Sequence, residues 1–265
     1  MTWPKASEGL TNLSEVLRSY GDANLFGESY GEGPARVVWL HGWARRGEDF
    51  RSVARELAQR GVASVALDLP GFGATPPPRE AGGARHYAEL ILPALQEIAE
   101  EPLVLVGHSF GGSVSTVVAS TNPELVRSLV LLAPPLLQVT PLARVPRKYR
   151  MVRWFHAKGW VSDARMESAR QRYGSSDYRL ARGVMRDVLV NSVNESYEAE
   201  LARIYVPVVF LWGENDLEVP VEVARRAAGL LLGKHVEHVV SGVGHLVPLE
   251  APEALLSAVE GALHS

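Results

Sequence analysis

A serine, an aspartate and a histidine stand in this chain at positions where acyl chemistry would want them. Ser109 lies in "VLVGHSFGGS" (104–113), where an apolar run stops at Gly107 and small residues follow. The form G-x-S-x-G between a strand and a helix-compatible run makes a turn so sharp that the serine is strained and only small neighbours fit. Such a turn lifts the Ser109 hydroxyl over the carboxyl edge of a sheet, at a helix N-terminus whose dipole favours developing negative charge. A hydroxyl at its ordinary pKa is a weak nucleophile and needs a base held by an acid. Asp216 follows the strand run "PVVFLW" in "LWGENDLEVP" (211–220), and His245 follows the next run in "GVGHLVPLEAPE" (242–253). The order Ser, Asp, His, each just past a strand end, suits a nucleophile, an orienting acid and a general base. Glu214 and Glu218 flank Asp216 and are the competing acids; the shorter carboxylate in the turn is preferred.

The remaining candidates carry less chemistry. Asp68, in "DLPGFG" (68–73), reads as a turn aspartate bonding local main chain. His41, His108, His235 and His238 hold no spaced ligand motif, and 235 and 238 fall on opposite faces of a strand, so no metal is expected. "GFGATP" (71–76) fails as a dinucleotide fingerprint because Pro76 takes the third glycine position, so no cofactor is expected either. Without cysteine the chain has no disulfide, thiolate catalysis or cysteine-held cluster.

The elements that must position these residues follow from periodicity. Six β-branched runs, at 36–40, 63–67, 103–107, 128–132, 207–212 and 235–240, alternate with segments of helical spacing such as "FRSVARELAQRG". That alternation predicts a doubly wound, mostly parallel α/β sheet with helices on both faces, and Gly61 suits the position just past a helix end. The rhythm breaks between 136 and 203, which reads as an inserted helical segment. The predicted organisation is a core of 1–135 and 204–265 with a cap of 136–203. The stretch "NLSEVLRSY" (12–20) reads as a helix. The net charge of −3 argues against nucleic acid as a partner. No sustained apolar segment suggests a signal or a membrane span, so a cytoplasmic location is expected.

Five pieces in this order, "LHGW" (40–43), "DLPGFG", "GHSFGG" (107–112), "LWGENDLEVP" and "GVGHLVPLEAPE", make the chain from Leu25 to Leu263 resemble the α/β-hydrolase superfamily. The resemblance implies that the main-chain N–H groups of Trp43 and Phe110 form an oxyanion hole, with His41 and Gly42 shaping that loop at the substrate pocket. It also implies that the insertion is a lid. A serine at the elbow points away from dehalogenase and epoxide hydrolase chemistry and toward cleavage of a carboxylic ester or related acyl bond. Carbon–carbon bond hydrolysis, or ligand binding without catalysis on the same fold, are the other readings.

The lid holds the substrate signals. Trp154, Phe155 and Trp160 are candidates for an apolar acyl pocket. Residues 136–186 contain twelve Lys or Arg against Asp163, Glu167 and Asp177. A helix with Leu180, Val184 and Val188 on one side would turn Arg179, Arg182 and Arg186 outward, a surface suited to an anionic substrate or an acidic acyl carrier.

Overall fold

The computed structural model describes residues 16–21, 24–138, 151–152, 154–156, 158–173 and 176–265. Among them one sheet runs through β1 (Val16–Tyr20), β2 (Leu25–Tyr30), β3 (Val37–Leu40), β4 (Ser64–Asp68), β5 (Leu103–His108), β6 (Val126–Leu132), β7 (Val208–Gly213) and β8 (His235–Val240). Its spatial order is β1-β2-β4-β3-β5-β6-β7-β8. β2 pairs antiparallel with β1 and β4, and every other pairing is parallel.

Side chains of a strand alternate between faces, and β5 shows the consequence. Leu103 and Leu105 join the core under α2 (Ala84–Ile98) and α3 (Phe110–Thr121), packing with Tyr87, Ile91 and Val114. Val104 and Val106 join the opposite core with Phe50, Val53 and Leu57, the last two from α1 (Arg51–Gln59). All six residues of β5 are buried, which is why Leu103 to Val106 form a continuous apolar run rather than alternating.

Between β6 and β7 lie α4 (Asp163–Tyr173), α5 (Ser176–Leu180), α6 (Val184–Asn194) and α7 (Glu198–Leu201). The chain closes with α8 (Glu222–Ala228), α9 (Val247–Glu250) and α10 (Pro252–Leu263). No helix among the described residues is long and apolar enough to cross a membrane.

Two expectations are corrected. Of the stretch read as a helix, Val16–Tyr20 is a strand, paired from Val16↔Ser29 to Tyr20↔Leu25, while residues 12–15 lie outside the described residues. The open edge of β2 supplies a hydrogen-bond ladder, and tertiary pairing overrides a weak local pattern. The arginine-bearing helix is also not continuous. Gly183 at φ 53° separates α5 from α6 and turns the face, so Leu180 is 77% exposed while Val188 is buried.

Candidate active site

The sheet switches direction at β3: the chain leaves it for β4 on one side and returns to β5 on the other. Parallel sheets open a crevice at such a switch, beyond the carboxyl ends of the strands. The last register pair of β3 with β5 is Leu40↔Gly107, so the loops beginning at His41 and His108 leave the sheet side by side. The N–H of Gly111 donates to the His41 carbonyl (3.1 Å) and ties the two loops together.

Ser109 sits at the turn with φ 49° and ψ −116°, a left-handed conformation that costs a non-glycine residue about 1–3 kcal/mol. Packing enforces it: a Cβ on Gly107 would lie 2.5 Å from Gly112 Cα, so the elbow closes only over glycine. The Ser109 N–H donates to Leu132 O at the end of β6 (2.8 Å), while its carbonyl accepts from Gly112 and Ser113. Among the described residues the N–H groups of Trp43 and Phe110 donate to no protein acceptor, and the two rings meet edge to face at 5.9 Å.

Asp216 lies in the turn after β7 with its carboxylate buried. Oδ1 accepts the N–H of Glu218 (2.8 Å) and Val219 (2.9 Å), and Oδ2 accepts the Nδ1–H of His245 (2.7 Å). Burial by itself lowers the His245 pKa, but the hydrogen bond and charge of Asp216, with Glu218 and Glu250 behind it, more than offset this and leave it raised. With Nδ1 engaged, Nε2 is the free nitrogen, and its nearest charged group is the largely exposed Glu218 carboxylate at 3.7 Å. The His245 ring lies against His108, next to the elbow serine, with centroids 4.9 Å apart. Ser109 Oγ makes no hydrogen bond among the described residues, an arrangement common before substrate draws a nucleophile and its base together.

His41 is buried and holds the loop from within. It accepts the N–H of Leu69 on Nε2 (2.9 Å), so Nδ1 carries the proton and donates to the Gly42 carbonyl (2.8 Å). Burial keeps its pKa low. Gly42 allows the close approach of the loops, since a Cβ there would lie 2.8 Å from His108 Nδ1 and 3.2 Å from Ser109 Cβ. Both residues shape the loop; neither presents a side chain to a pocket. Asp68 accepts the N–H of Ala74 in its own turn and that of Gly47 in a distant loop (2.8 Å each), so it ties two loops together as well as holding local main chain.

The three aromatics at 154–160 lie close to one another. Trp154 meets Phe155 and Trp160 edge to face and Phe155 lies tilted against Trp160, with centroids 4.9–5.8 Å apart, and Trp160 is 70% exposed. Their spacing of one to six residues lets them gather locally. The rings at the site belong to the core: Trp43 against Phe72 at 5.1 Å and Phe110 against Tyr87 at 4.9 Å. Met185 of α6 reaches Tyr87 Oη with its sulfur at 3.8 Å and joins α6 to α2 there. Of the arginines, Arg186 is engaged with Glu167 (3.1 Å) and lies over the Tyr178 ring, whereas Arg179 and Arg182 are exposed. Sequence spacing gave no signal for Tyr87, Phe72 or Met185, because contacts between distant elements leave no local period.

A model of the alpha/beta hydrolase family matches residues 37–258. The chain is 28% identical over 256 residues to an uncharacterized hydrolase, YugF, of Bacillus subtilis, covering 88% of this chain and 91% of that one. It is 29% identical over 250 residues to the pimeloyl-[acyl-carrier protein] methyl ester esterase of Chromobacterium violaceum, covering 91% of each. Among solved structures, an esterase from Exiguobacterium antarcticum superposes with a TM-score of 0.71 at 18% identity, covering 95% of this chain and all of that one.

Proposed function

Since the chain belongs to the α/β-hydrolase family, we propose that it is a serine hydrolase of carboxylic esters, with Ser109 as nucleophile, His245 as general base and acid, and Asp216 as the orienting acid. The observation that carries this reading is the buried Asp216–His245 pair at 2.7 Å, its ring set against the strained elbow that bears Ser109. His245 Nε2 takes the Ser109 proton as Oγ bonds to the ester carbonyl carbon, and the carbonyl electron pair moves onto oxygen. The Trp43 and Phe110 N–H groups receive that oxyanion, each worth about 10²- to 10³-fold in rate. Collapse breaks the ester C–O bond, and the alcohol leaves with the proton from Nε2. Water, deprotonated by His245, then cleaves the acyl-enzyme and regenerates Ser109. Asp216 holds the Nδ1–H tautomer and stabilises the imidazolium.

The helices between β6 and β7 act as the lid in this reading, with residues 136–203 as the inserted unit. The substrate is an acyl chain on an anionic or carrier-linked head group. Two observations support it: the basic excess of the lid, with Arg179 and Arg182 exposed, and the acyl-carrier substrate named for the Chromobacterium relative. The test compares a carrier-linked methyl ester with a neutral p-nitrophenyl ester over a salt series, in wild type, Ser109→Ala and the double variant Arg179→Ala, Arg182→Ala. Ser109→Ala is expected to lose both activities. The double variant and added salt are expected to lower kcat/KM for the carrier ester alone, since a Debye length of about 10 Å at 0.1 M screens long-range attraction. Full activity in Ser109→Ala would remove the serine mechanism, and equal responses of the two esters would remove the carrier.

A further inference from the structure

His108 has no role in the chemistry above, yet it is 2% exposed and its position is costly. Its Nε2 lies 2.9 Å from the main-chain oxygen of His245. A carbonyl only accepts, so the ring proton is on Nε2 and Nδ1 is a bare acceptor. That Nδ1 is buried without a hydrogen-bond partner among the described residues, pressed against Gly42. Burial, and then the neighbouring His245, hold the His108 pKa down at about 3, so the ring stays neutral. A buried acceptor with no partner destabilises a fold, and an apolar ring of the same shape would avoid that loss. The single bond to His245 is what the imidazole supplies in exchange.

The other side of the same loop is held by Glu250, the last residue of α9. Its Oε2 accepts the N–H of Gly244 (2.7 Å) and its Oε1 accepts the N–H of Leu246 (3.1 Å). The peptide unit 243–244 is therefore held by Glu250, and the unit 245–246, just after the histidine, is held at its carbonyl by His108 and at its N–H by Glu250, while Asp216 fixes the ring. On the His245 ring only Nε2 is left without a hydrogen bond among the described residues. A loop outside the sheet, between an exposed turn at 241–242 and a four-residue helix, has no ladder of its own to hold it.

We propose that His108 and Glu250 are positioning residues that brace the main chain of the loop bearing His245, so that Nε2 stays aimed at the elbow. The proposal rests on the serine mechanism above. Loss of a brace lets the imidazole drift, and a displacement of about 1 Å at a reacting group costs up to about 10²-fold in rate with little effect on ground-state binding.

The test uses the full chain, a fluorophosphonate as the probe of Ser109 nucleophilicity, and kcat and KM for p-nitrophenyl butyrate. His108→Phe keeps the ring and removes the donor; His108→Gln keeps a donor. His108→Phe is expected to label about 10- to 100-fold more slowly, with kcat lowered and KM within about twofold of wild type, and His108→Gln to recover most of the rate. Labelling of folded His108→Phe at the wild-type rate, or no recovery in His108→Gln, would overturn the brace. If His108→Phe does not fold, Glu250→Ala at the surface decides: slowing of about 10-fold supports the brace and an unchanged rate overturns it. Wild-type labelling that survives in Ser109→Ala would instead overturn the serine mechanism, which separates the two failures.

Discussion

Asp216 and Glu218 stand two residues apart in one turn and differ in everything that decides their roles. Asp216 is buried, accepts two main-chain N–H groups and holds His245 Nδ1; Glu218 is exposed and meets Nε2 only through its charge at 3.7 Å. Asp216→Asn is expected to lower kcat by about 10³- to 10⁴-fold, because an amide keeps the main-chain bonds but presents the wrong partner to the imidazole. Its urea midpoint should stay near that of wild type, and a loss of folding in place of activity would count against the role. For Glu218→Gln the readout is the pH profile of kcat/KM. His245 must be neutral to act as base, so activity rises with pH through its pKa, which the structure places above the ordinary histidine value. The charged groups around the ring are Asp216, Glu218 and Glu250, with His108 neutral. Removing Glu218 destabilises the imidazolium, so the acidic limb should move to lower pH, and the displacement should shrink with salt because the carboxylate is exposed. A limb that does not move would show that this carboxylate is not felt at Nε2.

At the scale of elements, what was legible in the sequence is what depends on local pattern. The runs at 103–107 and 235–240 became β5 and β8 because a strand needs only its own residues and a neighbour. The elbow was legible because Gly107 and the residues after Ser109 meet their steric demand within one turn. β1 was misread because its pairing with β2 lies outside its own sequence, and the lid arginines were misread because one glycine rotates α6 against α5. For His108 the signal in the sequence is its place directly before Ser109, at the end of a buried strand. The junction between α6 and the core leaves no local pattern in the sequence. Glu195, just after α6, accepts the Ala84 N–H (2.7 Å) at the start of α2 and the Tyr197 hydroxyl (2.7 Å), capping a core helix that has no side-chain cap of its own. Glu195→Ala should therefore lower unfolding stability by about 1–3 kcal/mol in urea denaturation. An unchanged midpoint would show that the Glu195 junction does not bear on the core.

For the whole molecule, one sheet explains why residues so far apart in sequence meet. Ser109, Asp216 and His245 each follow the carboxyl end of a parallel strand, and the switch at β3 places the Trp43 loop beside the elbow. The helices on either face bury the central strands, and α6 of the segment between β6 and β7 meets α2 through Met185 and Tyr87. The central claim is that Ser109 carries the acyl group during turnover. Acid-quenching the protein during hydrolysis of p-nitrophenyl butyrate, followed by intact-mass measurement and peptide mapping, examines this directly. A mass gain equal to the butyryl group, located on Ser109 and missing in Ser109→Ala, is the expected result; turnover with no acylated protein, or with the acyl group on another residue, would contradict it.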